Sequence, residues 1–278
     1  MTDEQSTAAT EPPVVVKIGG AKAVDPAGAV GDVAHLVANG RRVVVVHGGG
    51  PQISKVLEQM GIASRFVRGM RLTDAPTMDV VEMVLGGKVN KSIVAQINRQ
   101  GGRAVGLSGK DGRLIQAQKM HIVHQEDETK PPEIIDPGLV GEVTRVDPTV
   151  INTLTARGFI PIIAPVGTGE SGETYNINAD LVAGKIAQAL SAGRFILLTD
   201  VDGVLDKEGE LISSIDAATI QRMVEEGSIS GGMIPKIEHA LEALQNGVGK
   251  THIINGKKRH ALLLELFTDS GIGTQVTV

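Results

Sequence analysis

The sequence predicts an α/β protein, a three-layer αβα sandwich around a mainly parallel central sheet. Short runs of β-branched residues alternate with amphipathic stretches along most of the 278-residue chain, which is typical of repeated strand–helix units. Aromatic residues make up only 2% of the sequence, so the core must consist of Val, Ile, Leu and Ala, as in buried parallel sheets. The 35 glycines are concentrated in loops beside the apolar runs, which indicates backbone in close contact with a partner.

In the first half of the chain, glycines end two of the predicted helices and Asp74 is a good N-cap for a third. A hairpin is expected around Arg68 and Gly69. In chain order the predicted elements are a strand at Val14–Ile18, a helix at Pro26–Asn39, a strand at Val43–Val46, a helix at Pro51–Met60, the hairpin Phe66–Leu72, helices at Ala75–Leu85 and Asn90–Gln100, and a strand at Ala104–Leu107.

The second half begins with a turn-rich, strand-like region at 113–146 and continues with the same alternation. The predicted elements are a helix at Pro148–Arg157, a strand at Ile160–Ile163, a hairpin or lid at Gly167–Gly172, a helix at Asn178–Leu190, a strand at Phe195–Thr199, helices at Asp216–Glu226 and Ile234–Gln245, a strand at Thr251–Ile254, a mixed segment at Ala261–Phe267 and a closing strand at Gln275–Val278. We expect residues 1–13 to be a disordered tail and residues 14–278 to form one domain with two lobes that divide near residue 167.

Composition argues against several classes of protein. The chain has 27 Lys and Arg against 32 Asp and Glu, a net charge of −5, and no long basic run, so a nucleic-acid surface is not expected. With no Cys there is neither a disulfide framework nor a thiolate metal site. The polar N-terminus lacks the apolar segment of a signal peptide, and no apolar run approaches the roughly 20 residues of a membrane span. These features predict a cytoplasmic protein.

Two predicted strands end in glycine-rich turns. The first turn follows Lys17 and contains Gly19 and Gly20, and the second is the run 48–50 followed by Pro51. Glycines at the carboxyl ends of strands free backbone N–H groups to face an anion, and a following helix adds its partial positive charge. The alternative is that both are simply tight turns. Neither loop matches the Walker A pattern.

Three further segments carry charged or amide side chains beside predicted helix starts. Arg71 precedes one helix, the run 176–180 opens another with two amides and a carboxylate, and Lys236 lies in the first turn of a third. A lysine at a helix N-terminus opposes the helix dipole, which indicates a site that requires positive charge. The alternative is a solvated lysine.

Taken in order, the motifs K-I-G-G, H-G-G-G-P, R-L-T-D, N-K-S, G-L-S-G-K-D-G, N-I-N-A-D, T-D-V-D-G-V and G-G-M-I-P-K resemble the amino-acid kinase family, over roughly residues 14–278. Within that family they are most similar to the kinases that phosphorylate the side-chain carboxylate of N-acetyl-L-glutamate in arginine biosynthesis. The resemblance implies ATP as the phosphoryl donor, Mg²⁺ held mainly by the nucleotide, an acceptor-binding lobe at about 14–167 and a nucleotide-binding lobe at about 168–278.

The resemblance also implies a role for each candidate site residue. Lys17 and Lys236 would stabilise the transferring phosphoryl group, and Asp180 would organise both lysines. The residues implied to bind the acceptor are Gly49, Gly50, Arg71, Asn176 and Asn178. Those implied to lie by ATP are Gly19, Gly20, Asp200, Gly203 and Val204.

The implied chemistry suits these residue types. A carboxylate acceptor has an ordinary pKa of about 4.3 and is already ionised at pH 7, so it needs no general base. It does need fixed positive charge and amide dipoles, because one anion must approach another. The alternatives are a kinase acting on aminoadipate attached to a carrier protein, and a non-catalytic arginine or amino-acid sensor. The N-terminal segment favours a homodimer, whereas the segment 260–273 resembles arginine-responsive members that form hexamers, so arginine control stays open.

Overall fold

The computed structural model describes residues 11–19, 26–67, 69–124 and 133–278. Its strands are β1 (Val14–Ile18), β2 (Val43–His47), β3 (Phe66–Val67), β4 (Met70–Arg71), β5 (Ala104–Ser108), β6 (Ile115–Lys119), β7 (Ile122–His124), β8 (Glu133–Ile135), β9 (Gly141–Val146), β10 (Ile160–Ala164), β11 (Val166–Thr168), β12 (Thr174–Asn176), β13 (Arg194–Thr199), β14 (Ser214–Asp216), β15 (Lys250–Asn255) and β16 (Thr274–Thr277).

The helices match the predicted ones closely. They are α1 (Pro26–Ala38), α2 (Gly50–Gln59), α3 (Ala75–Glu82), α4 (Asn90–Arg99), α5 (Thr149–Thr155), α6 (Ala179–Ala189), α7 (Ala217–Glu225), α8 (Met233–Gln245) and α9 (Ala261–Phe267). Two details differ from the prediction. A π-helical segment, Met83–Val89, joins α3 to α4, and the segment predicted as mixed at 261–267 is helical.

Eight strands form the central sheet, in the order β14-β16-β15-β13-β1-β2-β10-β5. All neighbouring pairs run parallel except β15 with β16, so the predicted mainly parallel sheet is confirmed. Strand β1 lies between β13 and β2. Because β13, β1, β2 and β10 share one direction, their carboxyl ends meet along one edge of the sheet, where ligands bind in open α/β folds.

Helices cover both faces of this sheet. Alternate side chains of β1 point to opposite sides: Val14 and Val16 pack towards α1, α4 and α9, whereas Val15 packs towards α6, α7 and α8. This double burial explains why β1 is apolar throughout except for its Lys17. Since side chains alternate, Lys17 projects to the same face as Val15, towards α6 and α8.

A smaller sheet, β12-β11-β6-β9, lies beside the central one. The segment predicted as a hairpin or lid is the turn of the antiparallel pair β11–β12, and the expected lobe boundary near residue 167 falls inside β11. Within the described ranges, no helix combines the length and apolar character needed to cross a bilayer.

The structure describes the last three residues of the expected disordered tail, 1–13. Residues 1–10 lie outside the described ranges. Pro13 is buried and its carbonyl accepts a hydrogen bond of 3.0 Å from Gly193. Glu11 pairs with Arg41 at 2.8 Å. These contacts hold the segment against the start of β1, so the ordered chain begins earlier than the apolar pattern indicates.

Candidate active site

Two lysines converge on one buried carboxylate at the carboxyl edge of the central sheet. Lys17 Nζ lies 2.8 Å from Asp180 Oδ1, and Lys236 Nζ donates a hydrogen bond of 2.9 Å to Asp180 Oδ2. The Asp180 side chain is 9% exposed and that of Lys17 11%. The structure therefore brings together the three predicted catalytic side chains, which are separated in sequence by 163 and 56 residues.

Local sequence positions each member of this triad. Lys17 is the last residue of β1 whose side chain lies on the face of the sheet that α6 covers. Asn178 is the N-cap of α6, because its Oδ1 accepts the N–H of Asp180 at 2.8 Å, and this bond fixes the first turn that carries Asp180. Lys236 enters from the first turn of α8. Its unfavourable position relative to the α8 dipole is compensated by the Asp180 carboxylate.

The electrostatics of the triad hold Asp180 ionised. Burial alone would raise the pKa of Asp180, but the charges and hydrogen bonds of Lys17 and Lys236 outweigh it and lower that pKa to about 2. His239, one turn further along α8, is half-buried, and desolvation lowers its pKa although the Asp180 charge opposes this. Near neutral pH Asp180 is thus a carboxylate, and both of its oxygens face lysine side chains.

A pocket of about 190 Å³ adjoins the triad and gathers every predicted acceptor-binding residue. Its polar lining comes from the second glycine loop, the β3–β4 hairpin and the segment before α6. The lining residues used below are Gly48, Gly49, Gly50, Arg71, Asn176 and Asn178. Ala179, the neighbour of Asp180 in the chain, also lines it.

Arg71 is fixed in this pocket by several contacts. Its guanidinium donates to Gly50 O at 3.0 Å and to Ser54 Oγ at 2.9 Å, and it also donates to Ser64 Oγ. Phe66 stacks on it, with the guanidinium carbon 4.6 Å from the ring centroid. Burial lowers the pKa of Arg71 from its ordinary value. Sequence reasoning identified Arg71 but missed the two serines, which carry no motif of their own.

The two asparagines play different structural parts. Asn176 Nδ2 donates to Thr73 Oγ1 at 3.2 Å, and Thr73 in turn donates to the Arg71 carbonyl at 2.8 Å, so the Asn176 side chain is tied to the Arg71 segment. Asn178 uses its Oδ1 as the α6 cap. Both side chains border the pocket, and their contact with an acceptor stays a prediction.

The two predicted glycine loops lie side by side. Gly48 N–H donates to the Ile18 carbonyl at 3.0 Å, which joins the loop after β2 to the one after β1. Gly49 packs so closely that an added Cβ would lie 2.5 Å from Leu85 Cδ2. The predicted loop glycine Gly20 lies outside the described residues, and Gly19 is the last described residue of the first loop.

The predicted nucleotide residues follow β13 at the same edge of the sheet. Asp200 is exposed directly after β13. Gly203 has φ 153°, and a Cβ there would lie 2.5 Å from Thr274 Oγ1. Val204 is buried, its N–H donates to Thr274 Oγ1 at 2.8 Å and its carbonyl accepts from Ile212 at 2.9 Å. These two bonds anchor the turn after β13, and contact of Val204 with a nucleotide stays a prediction.

Carboxylates and imidazoles are dispersed rather than clustered here. In the part of the chain that the structure describes, no group of three or more His, Asp or Glu side chains is arranged to hold a metal ion. Both oxygens of Asp180 face lysines. The buried carboxylate of Asp180 thus has no oxygen that faces away from the lysines to serve as a metal ligand.

Comparison with known proteins agrees with this geometry. The profile described as "Amino acid kinase family" matches residues 12–255. The chain belongs to the amino acid kinase family. A family member from Alkalilimnicola ehrlichii named acetylglutamate kinase is 55% identical over 266 residues, 95% of this chain and 88% of that protein. Another of the same name from Syntrophobacter fumaroxidans is 59% identical over 233 residues, 84% of this chain and 78% of that protein.

Solved structures support the same fold for this amino acid kinase. A crystal structure of a protein from Streptococcus mutans superposes with a TM-score of 0.76 at 29% identity, covering 95% of this chain and 98% of that one. Together with the sheet and its helices, this confirms the predicted amino-acid kinase fold.

One buried pair in this family member was not identified as functional from the sequence. His47, the last residue of β2, is 0% exposed, and its Nε2 lies 3.2 Å from Nδ2 of Asn90, which is also fully buried. Both belong to motifs that carried the resemblance, H-G-G-G-P and N-K-S, but neither motif alone shows that the two side chains meet.

Proposed function

We propose that this kinase transfers the γ-phosphoryl group of ATP to the side-chain carboxylate of N-acetyl-L-glutamate, giving ADP and N-acetyl-L-glutamyl 5-phosphate, a step of arginine biosynthesis. The observation that carries the proposal is the convergence of Lys17 and Lys236 on Asp180 next to a pocket that holds Arg71. Relatives named acetylglutamate kinase at 55% and 59% identity support the choice of acceptor.

The reaction follows from charge. An oxygen of the acceptor carboxylate attacks the γ-phosphorus, and the bond to the β–γ bridging oxygen breaks as ADP leaves. Negative charge spreads over the transferring oxygens, and the two ammonium groups are fixed where that charge develops. Asp180 keeps the ammonium groups in place and, with its low pKa, stays a hydrogen-bond acceptor throughout. The acceptor is already ionised, so no proton has to be removed.

In this proposal the pocket selects the acceptor. The Arg71 guanidinium binds the α-carboxylate, since arginine forms two parallel hydrogen bonds with a carboxylate and its position is already fixed by Gly50 and Ser54. Amides at Asn176 and Asn178 suit the acetamido group, and the backbone N–H groups of Gly49 and Gly50 suit the reacting oxygens. An unacetylated amino acid would bring an ammonium group towards Arg71 and lose affinity.

The nucleotide is proposed to lie along the lobe after residue 167, near Gly19, Asp200 and Gly203. Mg²⁺ fits this site only as a companion of the nucleotide, because Asp180 has both oxygens on lysines and Mg²⁺ prefers oxygen ligands that are free. Bound in that way, Mg²⁺ would neutralise phosphate charge during transfer. The chain's own contribution is the pair of ammonium groups and the glycine loops.

The test is an acceptor comparison. Purified protein is incubated with ATP, Mg²⁺ and either N-acetylglutamate, glutamate, aminoadipate or carrier-bound aminoadipate, while ADP release is recorded and hydroxylamine traps any acyl phosphate as a hydroxamate. We expect ADP and hydroxamate in equal amounts with N-acetylglutamate, and a kcat/KM at least about 100-fold lower with glutamate. Preference for carrier-bound aminoadipate would favour the related kinase, and absence of turnover with all four would favour a sensor.

A cytoplasmic homodimer is proposed from the sequence. Light scattering on the purified protein, with and without arginine, tests the assembly. A dimer whose turnover is unchanged by arginine agrees with the proposal, and a hexamer inhibited by arginine would replace it.

A further inference from the structure

We propose that His47 and Asn90 are positioning residues that set the orientation of the Gly48–Gly49 peptide, and with it the direction of the Gly49 N–H. The inference rests on the proposed function, because it assigns that N–H to the anionic reactants. His47 lies at the end of β2, immediately before the glycine loop, and neither it nor Asn90 belongs to the lysine triad.

The orientation of the Asn90 amide is decided by two main-chain carbonyls. Asn90 Nδ2 lies 2.8 Å from Ile162 O and 3.3 Å from Leu107 O, in strands β10 and β5. Placing the amide oxygen there would set it against two other oxygens. The nitrogen must therefore face this side, and its two N–H bonds are shared among the two carbonyls and His47 Nε2, which it faces as a donor.

That donation fixes the tautomer of His47. A ring nitrogen that accepts a hydrogen bond carries no proton, so in the neutral imidazole the proton is on Nδ1. Burial lowers the pKa of His47 to about 4, which keeps the ring neutral near pH 7. The Nδ1–H then donates to the Gly48 carbonyl at 3.0 Å.

The last link is the peptide itself. In a trans peptide the carbonyl and the following N–H point in opposite directions. With the Gly48 carbonyl held towards His47, the N–H of Gly49 is turned away from the sheet interior. Gly48, Gly49 and Gly50 all line the pocket beside Arg71. The carbonyls of β5 and β10 thereby orient Asn90, Asn90 orients His47, and His47 sets the direction in which the Gly49 N–H points.

The surroundings of Asn90 argue that packing alone does not account for it. Its Oδ1 is buried and has no hydrogen-bond partner among the described residues, an unfavourable state that an apolar side chain would avoid. Gly106 on β5 makes room for it, because a Cβ at that position would lie 1.8 Å from Asn90 Oδ1. The protein thus tolerates an unpaired amide oxygen at residue 90 and keeps a glycine at residue 106 to make room for it. Both observations fit a positioning role for Asn90 better than a role in filling the core.

Two substitutions of His47 separate the two hydrogen bonds. In His47→Asn the amide N–H takes the place of Nδ1–H and can still donate to the Gly48 carbonyl. In His47→Gln the longer side chain reaches Asn90 but leaves that carbonyl without its donor. Ile97→Val, in the same core on α4 and without a part in the loop, is the control for a loss of stability.

We expect kcat to fall by about 30-fold in His47→Gln and by about threefold in His47→Asn, with KM for N-acetylglutamate within about threefold of wild type in both. Ile97→Val should lower Tm and keep kcat within about twofold of wild type. Equal kcat losses in both His47 variants, or losses no larger than in the control, would overturn the inference, because a purely structural histidine would affect turnover only through stability.

Two measurements decide the inference even if N-acetylglutamate is not the acceptor. In ¹⁵N spectra of the seven histidines, the signal lost in His47→Gln should show a protonated Nδ1 and a bare Nε2 without titration from about pH 5.5 to about pH 8.5. A crystal structure of His47→Gln should show the Gly48–Gly49 peptide turned over. A proton on Nε2, or an unchanged peptide, contradicts the positioning role, whereas inactivity of the wild-type protein contradicts only the proposed function.

Discussion

Replacing Asp180 with Asn tests the electrostatic centre most directly, because it removes one charge and changes the shape of the side chain little. The carboxylate holds two ammonium groups, with contacts of 2.8 and 2.9 Å, in a place where its own side chain is 9% exposed. Its pKa of about 2, against an ordinary 3.8, corresponds to about 2.5 kcal/mol of stabilisation at neutral pH. Asn leaves both lysines without a counter-charge, and breaking a buried pair costs about 3–5 kcal/mol.

We therefore expect Asp180→Asn to lower the free energy of unfolding by about 3 kcal/mol in urea denaturation at pH 7. Turnover should fall by about 100-fold or more, because the ammonium groups repel each other and leave the positions that the transferring oxygens require. The assay is ADP release at saturating N-acetylglutamate, at a temperature where denaturation curves show the variant to be folded.

The matched control is Glu242→Gln. Glu242 pairs with Lys185 and joins the same two helices, α6 and α8, but the pair is partly exposed. An exposed pair of this kind contributes no more than about 1 kcal/mol, and turnover should stay within about twofold. If Asp180→Asn keeps its turnover within about threefold, or if Glu242→Gln loses as much, the two lysines do not depend on Asp180 and the reasoning fails.

Three other outcomes are expected. Lys236→Ala should lower kcat by about 100-fold or more. The affinity for N-acetylglutamate, measured by calorimetry, should stay within a few-fold of wild type. Unchanged turnover would remove Lys236 from the mechanism. Arg71→Lys should raise KM for N-acetylglutamate by about tenfold with a smaller effect on kcat, because the variant keeps the charge and loses the contacts to Gly50 and Ser54. An effect on kcat alone would argue against binding of the acceptor carboxylate by Arg71. The pKa of Asp180 is lower in the folded protein than its ordinary value, so its contribution to stability is present above pH 3.8 and is lost as the pH falls towards about 2. In urea titrations, the difference in free energy of unfolding between wild type and Asp180→Asn should therefore begin to shrink below about pH 4. A difference that is constant down to about pH 3 would contradict the pairing.

Much of the fold follows from local pattern. The run Val14–Ile18 has apolar residues on both faces, which predicts a buried parallel strand. Asp74 caps α3 as predicted, by accepting the Thr77 N–H at 3.0 Å. The π-helical segment at Met83–Val89 was not predicted, because the sequence analysis placed a break between two helices at 86–89 and the register change depends on packing. The contacts of Glu11 and Pro13 were missed for the same reason, since they depend on residues far along the chain.

For the site, the sequence identified residue types better than roles. Lys17, Asp180 and Lys236 stand in separate motifs, and their meeting depends on the parallel order of β13, β1 and β2, which sequence can suggest only through resemblance. Val204 is buried and its N–H is bonded to Thr274 Oγ1, and its expected place beside ATP stays a prediction. Asn178 serves as a helix cap, a role that its position before α6 would have predicted from capping preferences alone.

The dispersal of the lysine triad along the chain has a consequence for biosynthesis. Residue 17 leaves the ribosome early, whereas residue 236 is added 219 residues later. Until α8 packs against α6, the Asp180 carboxylate has Lys17 beside it but not Lys236. Under the proposed function, a nascent chain in which α8 has not yet packed against α6 lacks the Lys236 ammonium group and is expected to be inactive.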